Sequence, residues 1–303
     1  MTKVLFSSAE ISKVLKCQLT GNAWRASGVS IDSRSLKKGD LFIALSDSRD
    51  GHDFVKAAFK KKAVAAIVRY KPEGLSDKFP LVIVENVQEA LNCLAIFARQ
   101  RFSGKVIAIT GSVGKTSSKE MLSHVLGRMD SVHASEKSYN NKLGVPLTLA
   151  RLPKNFKFAV IEIGMSERGE IQPLVEMVHP DIALVTCIGY AHIAAFESLA
   201  AIAFEKAMIF SKLVFGGYAI IPGDGVEAKL LAESATKFGF DPIKFGFDPI
   251  HHYQIKDIWI SKNKTFARIK TKKIKNIEIE INAIGKHHAR NALAILAVID
   301  CLR

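Results

Sequence analysis

Val106-Ile107-Ala108-Ile109-Thr110-Gly111-Ser112-Val113-Gly114-Lys115-Thr116-Ser117 is the stretch on which the reading of this chain turns. An unbroken apolar run fits a parallel strand covered on both faces. The run ends in a glycine turn, and a Lys-Thr pair then opens a helix. Backbone N–H groups in such a turn point into a concavity and bind phosphate oxygens. Glycines let the backbone come close to the ligand. Lys115 is suited to neutralise β- and γ-phosphates, and the Thr116 hydroxyl to ligate Mg2+. Ile109 stands where the longer phosphate-loop pattern has a further glycine, so the match is GxxGKT in a strand–loop–helix context. The expectation is an ATP cradle made of Gly111, Ser112, Val113, Gly114, Lys115, Thr116 and Ser117. The competing reading is a plain glycine turn beside an incidental lysine.

Two more buried-strand patterns follow, Phe158–Ile163 and Ile182–Thr186, with helical stretches between. Together with Val106–Ile109 they predict a doubly wound, mostly parallel sheet, whose ligands sit at the carboxyl ends of the strands. Glu162 closes the first of these strands. A carboxylate there faces the loop and suits Mg2+, which prefers oxygen ligands; otherwise it is a surface carboxylate. His192, just past the second strand, reads as a metal ligand on the same argument. Further on, Ile255–Ile260, Thr265–Ile269 and Ile277–Ile281 alternate as antiparallel strands do. A last helix begins near His288, with Ala292, Leu293, Leu296 and Ile299 on its apolar side. The near-repeat FGFDPI at Phe238–Ile250 is local and implies no repeat fold.

Before the loop lies a smaller α/β segment. It opens with a short strand and a capped helix. Strands follow at Gly28–Ile31, Leu41–Ala44, Ala65–Val68 and Leu81–Val84, with a helix from about Asp53 to Lys62. A helix from Asn86 to about Arg101 has Asn86 as its N-cap. The expected domains are residues 1–84 and 85–303. Asp32-Ser33-Arg34 and Asp50-Gly51-His52-Asp53 are either turn chemistry or an anion site built from Ser and Arg donors. Asn140-Asn141 carries the same ambiguity. Lys206, on a helical stretch, reads as a solvated charge.

The 303 residues are 48% hydrophobic, enough for a real core. No apolar run is long enough to span a bilayer, and the N-terminus lacks the features of a signal peptide. These points lead to an expectation of a cytoplasmic protein without membrane insertion. The four cysteines lack metal or redox spacing and read as buried free thiols. A net charge of +14 raises nucleic acid as a partner. The lysines are scattered, however, and not interleaved with aromatic residues, so no nucleic-acid partner is expected. A polyanionic small substrate accounts for part of the charge.

Ile31-Asp32-Ser33-Arg34, Lys38-Gly39-Asp40-Leu41-Phe42 and Asp50-Gly51-His52-Asp53-Phe54 resemble the N-terminal domain of Mur ligases. Thr110–Ser117 resembles the ATP loop of that family, and Gly285-Lys286-His287-His288-Ala289-Arg290-Asn291-Ala292-Leu293 the end of its central domain. Thr110–Met121, Tyr139–Leu152 and Glu162–Ile171 resemble the family member that adds D-alanyl-D-alanine. The member adding the third peptide residue typically has Asn-Gly-Lys-Thr-Thr in its loop, where this chain has Val113-Gly114-Lys115-Thr116-Ser117.

The resemblance covers essentially the whole chain. It implies an N-terminal UDP-binding domain and a central ATPase domain, acting on UDP-N-acetylmuramoyl-tripeptide and D-alanyl-D-alanine with ATP and Mg2+. The tripeptide carboxylate would become an acyl phosphate that the incoming amine then attacks. Lys115, Glu162, His192 and Lys206 match catalytic positions. Thr116, Glu162, His192 and Lys206 match metal ligands, Lys206 as a carbamylated lysine. Asn291 matches a position near the adenine. Ser33, Arg34, Asn140 and Asn141 match substrate-binding positions. A monomer is expected. The chain departs from the family at Glu197, where Gly is usual, and at His288, where Asn is common. The resemblance also implies a third, Rossmann-like C-terminal domain, which these residues do not include. The alternatives are the ligase that adds the third peptide residue, a nucleotide-binding remnant without turnover, and a basic nucleic-acid-stimulated NTPase.

Overall fold

The computed structural model describes residues 4–17, 19–46, 49–191 and 193–303. The chain divides into two compact units, Met1–Ser103 with Pro146–Asn155, and Gly104–Val145 with Phe156–Arg303.

The first unit opens with strand β1 (Phe6–Ser7) and helix α1 (Ser8–Leu15). Ser7 starts the helix. Its hydroxyl accepts from the Glu10 N–H, and the Glu10 carboxylate accepts from the Ser7 N–H at 2.8 Å. This reciprocal cap satisfies donors that the first helical turn leaves open. β2 (Arg25–Ala26) pairs antiparallel with β1. β3 (Gly28–Ser30), β4 (Asp40–Ile43), β5 (Ala65–Val68) and β6 (Leu81–Ile83) then form a four-stranded parallel sheet in chain order. β4 and β5 are buried along their whole length, as central parallel strands must be. α2 (Val55–Lys60) is shorter than the sequence suggests, because Gly51–Phe54 form a 3-10 turn tightened by the Asp50 carboxylate on the His52 N–H. α3 (Val87–Gln100) starts where Asn86 accepts from the Glu89 N–H at 3.0 Å. Phe42, Val55, Phe59, Ala66 and Leu81 are the centre of this unit's core.

The second unit runs β7 (Lys105–Thr110), α4 (Lys115–Leu126), β8 (Val132–Ala134), the start of α5 (Gly144–Ala150), which from Pro146 belongs to the first unit, then β9 (Phe158–Glu162), α6 (Ile171–Val178), β10 (Ile182–Val185), α7 (Leu199–Ala207) and β11 (Tyr218–Pro222). It continues with α8 (Ala228–Lys237), β12 (Ile243–Gly246), β13 (Tyr253–Ser261), β14 (Lys264–Lys270), β15 (Ile277–Ile281) and α9 (Lys286–Cys301). Nine strands form one sheet in the order β15-β14-β13-β12-β11-β10-β7-β9-β8. It is parallel from β8 to β13, and β13, β14 and β15 pair antiparallel. The chain is therefore α/β, with a mostly parallel sheet and a small antiparallel part.

Burial explains the helix that the sequence underestimates. The apolar pattern predicts one buried side of α9, yet Ala289, Ala294, Ile295, Ala297 and Val298 are buried as well, while Leu296 is half-buried. α9 is covered by α4 and by the sheet from β10 to β14, so nearly every face needs apolar residues. Each fully buried Leu or Ile contributes roughly 1.5–3 kcal/mol relative to exposure. The four cysteines are free but half-buried, less enclosed than their apolar surroundings in sequence suggest. Among the described residues no helix is long and apolar enough to cross a membrane.

Candidate functional site

β7 lies between β9 and β10 in the sheet. The chain passes from β7 to β9 on one side and then crosses to β10 on the other. That change of direction opens a crevice at the carboxyl ends of the strands. The loop after β7 occupies it. Gly111 has φ +150°, and a Cβ there would sit 1.9 Å from Thr186 Oγ1. Gly114 has φ +86°, and its Cβ would meet the Asn291 amide of α9 at 3.0 Å. Only glycine meets both demands.

Hydrogen bonds latch this loop to the end of β10. Thr186 Oγ1 donates to the Val113 carbonyl at 2.6 Å, and Cys187 Sγ to the same carbonyl at 3.3 Å. The Ser112 N–H donates to the Cys187 carbonyl at 2.9 Å. Ser112 Oγ donates to the Gly189 carbonyl at 3.0 Å and accepts from the Gly189 N–H at 2.9 Å. The Ser112 side chain thus serves the latch, and Val113 is exposed. α4 has no side-chain cap, so its first N–H groups are left for an anion.

Lys115 Nζ donates to the Gly111 carbonyl at 2.7 Å. Burial pushes its pKa down, and the Glu162 carboxylate pulls it back up. Glu162 is fully buried at the end of β9. Its Oε1 accepts from Thr116 Oγ1 at 3.2 Å and from Asn140 Nδ2 at 2.7 Å. Its backbone N–H donates to Ser135 Oγ at 3.0 Å. Oε2 is buried and has no partner. An unpaired buried carboxylate oxygen is costly unless a cation or donor meets it. Together with the Thr116 hydroxyl it makes an oxygen donor set of the kind Mg2+ takes. Among the described residues no three His, Cys, Asp or Glu cluster as a metal site, so a cation here would need ligand oxygens or water to complete its shell.

Lys206 is buried on α7. Burial first, and then the Lys115 charge, push its pKa down to about 7. The adjacent Glu205 accepts from the Gly169 and Ile171 N–H groups at 2.9 and 3.0 Å, holding the start of α6.

The remaining expected residues fall in several places. Asn291 packs on Gly114, with its Nδ2 buried and unpaired. Ser117 is exposed on α4. Asn141 Oδ1 accepts from the Gly144 and Leu143 N–H groups at 2.9 and 3.2 Å, so it caps α5, whereas Asn140 reaches Glu162. His192 lies outside the described residues. Ser33 and Arg34 belong to the first unit, just past β3. Ser33 is buried, and Arg34 forks onto Asp32 with its Nη2 at 2.8 Å. The Arg34 side chain holds the Asp32 carboxyl down at about 2.

Sequence reasoning missed Thr186, Ser135 and Lys119. Lys119 is fully buried, and its Nζ donates to the Ser135 and Lys137 carbonyls at 2.8 and 2.5 Å. It pins the segment that leads to Asn140. Its neighbours Ser117, Ser118 and Glu120 are polar, so no hydropathy signal marks it.

The crevice and loop define an α/β protein of the phosphate-loop class. More narrowly, the chain belongs to the Mur ligase family: residues 109–299 match the Mur ligase middle domain, and residues 25–99 match the model described as Mur ligase family, catalytic domain. It is 35% identical to the UDP-N-acetylmuramoyl-tripeptide–D-alanyl-D-alanine ligase of Rickettsia prowazekii, over 99% of this chain and 66% of that protein. Its fold is similar to MurF from Acinetobacter baumannii, with TM-score 0.86 and 26% identity over 97% of this chain and 64% of that one. It is also similar to MurF ligase from Thermotoga maritima in complex with ADP, with TM-score 0.77 and 26% identity over 91% of this chain and 63% of that one. The chain thus spans just under two thirds of the length of these relatives.

Proposed function

We propose that the chain works as an ATP-dependent carbon–nitrogen ligase of peptidoglycan synthesis, joining D-alanyl-D-alanine to UDP-N-acetylmuramoyl-tripeptide in the cytoplasm, as a monomer. The observation that carries this reading is Glu162, a buried carboxylate beside the phosphate loop with Oε2 unpaired. The relatives' names supply the substrates.

The chemistry demands that two anions meet, a carboxylate and the γ-phosphate of ATP. In this reading the N–H groups of the loop and of the first turn of α4 bind phosphate oxygens, and Lys115 neutralises them. Bound Mg2+ adds positive charge where charge builds up on the phosphoryl group. Thr116 and Glu162 would hold it, and His192 would serve a second ion. Asn140 orients the Glu162 carboxylate from behind. Lys206 has a pKa near neutrality, so a large part of it is free amine. That amine can add to CO2: the N–C bond forms as one C–O π bond of CO2 opens, a proton leaves the nitrogen, and the neutral amine becomes a carbamate anion, a carboxylate-like ligand. Asn291, packed on Gly114, would serve the adenine side of the nucleotide. Asn140 and Asn141 bound the loop given to the peptide substrate, and Ser33 and Arg34 contact the UDP portion.

The test is phosphate release from ATP with UDP-N-acetylmuramoyl-tripeptide present and D-alanyl-D-alanine added. The expected result is release stimulated by the dipeptide. Stimulation only by diaminopimelate or lysine, on the corresponding shorter acceptor, assigns the ligase that adds the third residue instead. ATP binding with no release under any of these conditions overturns the catalytic reading.

A further inference from the structure

The first unit holds a charged group for which the proposed reaction has no use. Arg101 follows α3, and its guanidinium lies 4.6 Å from the Phe6 ring centre and 5.3 Å from that of Phe97. The side chain is 16% exposed. Its guanidinium nevertheless makes no hydrogen bond among the described residues, and Nε is buried without a partner. Its one ion pair is loose, 3.7 Å from Nη1 to Glu10 Oε1. Glu10 is already committed, since its Oε2 accepts from Ser7 N and Oγ at 2.8 Å in the α1 cap. A guanidinium held this deep normally forks onto a carboxylate or phosphate, and leaving its donors unpaired is costly.

Arg101 lines a cavity of about 300 Å³, together with Arg151, Lys154, Asn155 and Ser27. No Asp or Glu lines it among the described residues. Arg151 is held in place by its Nε, which donates to the Val29 carbonyl at 2.7 Å. Lys154 is exposed at the rim and makes no ion pair with any described residue. The cavity is separate from the Ser33–Arg34 turn, because Ser27 precedes the first residue of β3 and Ser33 follows its last. Its volume is at the small end for a ligand pocket and exceeds what one phosphate needs.

We propose that this cavity binds a phosphate dianion, free or carried by a small phosphomonoester, with Arg101 as its forked anchor. Arg151 and Lys154 add charge around the anion, and Ser27 and Asn155 add neutral donors.

The experiment uses the full chain carrying Lys115→Ala, so that the ATP loop does not compete, with 15N-labelled arginine. The Arg101 side-chain Nε–Hε signal, assigned by its loss in Arg101→Lys, is followed by NMR during titration with inorganic phosphate and, separately, glycerol 3-phosphate. A saturable shift is expected, and Lys154→Glu is expected to weaken it at least tenfold with an otherwise unchanged amide spectrum. Saturation by phosphate alone assigns a free dianion; saturation by both assigns an ester. An Arg101 signal that neither compound moves, that shifts without saturating, or that shifts equally in Lys154→Glu overturns the proposal.

Discussion

Glu162 and Lys206 show how burial changes the chemistry open to an ordinary residue. Glu162 has one oxygen held by Thr116 and Asn140 and the other unpaired. If Asn140 orients a metal ligand, Asn140→Ala should weaken Mg2+ dependence about 10–100-fold, read as the Mg2+ concentration giving half-maximal ATP binding. Unaltered Mg2+ dependence contradicts that role. Lys206 titrates near 7 in the fold, against 10.5 for an ordinary lysine. The unfolded chain therefore binds this proton more tightly between pH 7 and 10. Burying the ammonium destabilises the fold below pH 7, and the cost fades as pH rises toward 10. In CO2-free buffer Lys206→Met is expected to melt above the unsubstituted protein at pH 7, with the gap closing by pH 10. A gap that does not change with pH contradicts the depressed pKa. The sequence marks Lys115, Thr116 and Glu162 because each stands at a strand end or in a glycine turn. By contrast, nothing local marks Lys206, Lys119 or Thr186. Their environments come from segments distant in sequence, and only the family resemblance singled out Lys206.

At the scale of elements, local chemistry was legible where a cap or a continuous apolar run set it. The Asn86 cap fixes α3, and the buried runs fix β7, β9 and β10. β8 was not legible because it is short and half-buried throughout. β12 joins Ile243 of the first FGFDPI copy to the Phe245-Gly246 of the second, whereas the Phe238-Gly239 of the first copy follows the end of α8, so one local sequence serves two structures according to what packs on it. Two substitutions test elements directly. Ser7→Ala removes the capping hydroxyl of α1 and is expected to cost about 1 kcal/mol in chemical denaturation, with the fold retained. No measurable loss means the cap contributes nothing. Gly111→Ala places a Cβ 1.9 Å from Thr186 Oγ1, so the loop must leave its latch. ATP affinity is expected to fall at least tenfold while the circular dichroism spectrum stays unchanged, and undiminished affinity contradicts the latch.

Over the whole molecule, the +14 charge suits anionic substrates rather than identifying them. The two compact units have separate cores, so ligands should leave separate marks. In hydrogen exchange, ATP with Mg2+ is expected to slow residues 111–117 and 186–189 and to leave β4 and β5 unchanged. Equal protection of both units contradicts separate sites. The fold class and the strand–turn–helix at Thr110–Ser117 were readable from sequence because parallel strands and glycine turns are local signals. The way α9, the β10 end and Asn140 converge on the loop was not, since it depends on sheet order. The proposed metal–ATP site joins Thr110–Ser117 to Glu162. The most direct measurement is calorimetric titration of ATP with and without Mg2+, into the unsubstituted chain, Lys115→Ala and Glu162→Gln. Mg2+-strengthened binding is expected in the first, weakened at least tenfold by Lys115→Ala, with loss of the Mg2+ effect in Glu162→Gln. ATP binding that is indifferent to both substitutions would contradict that site.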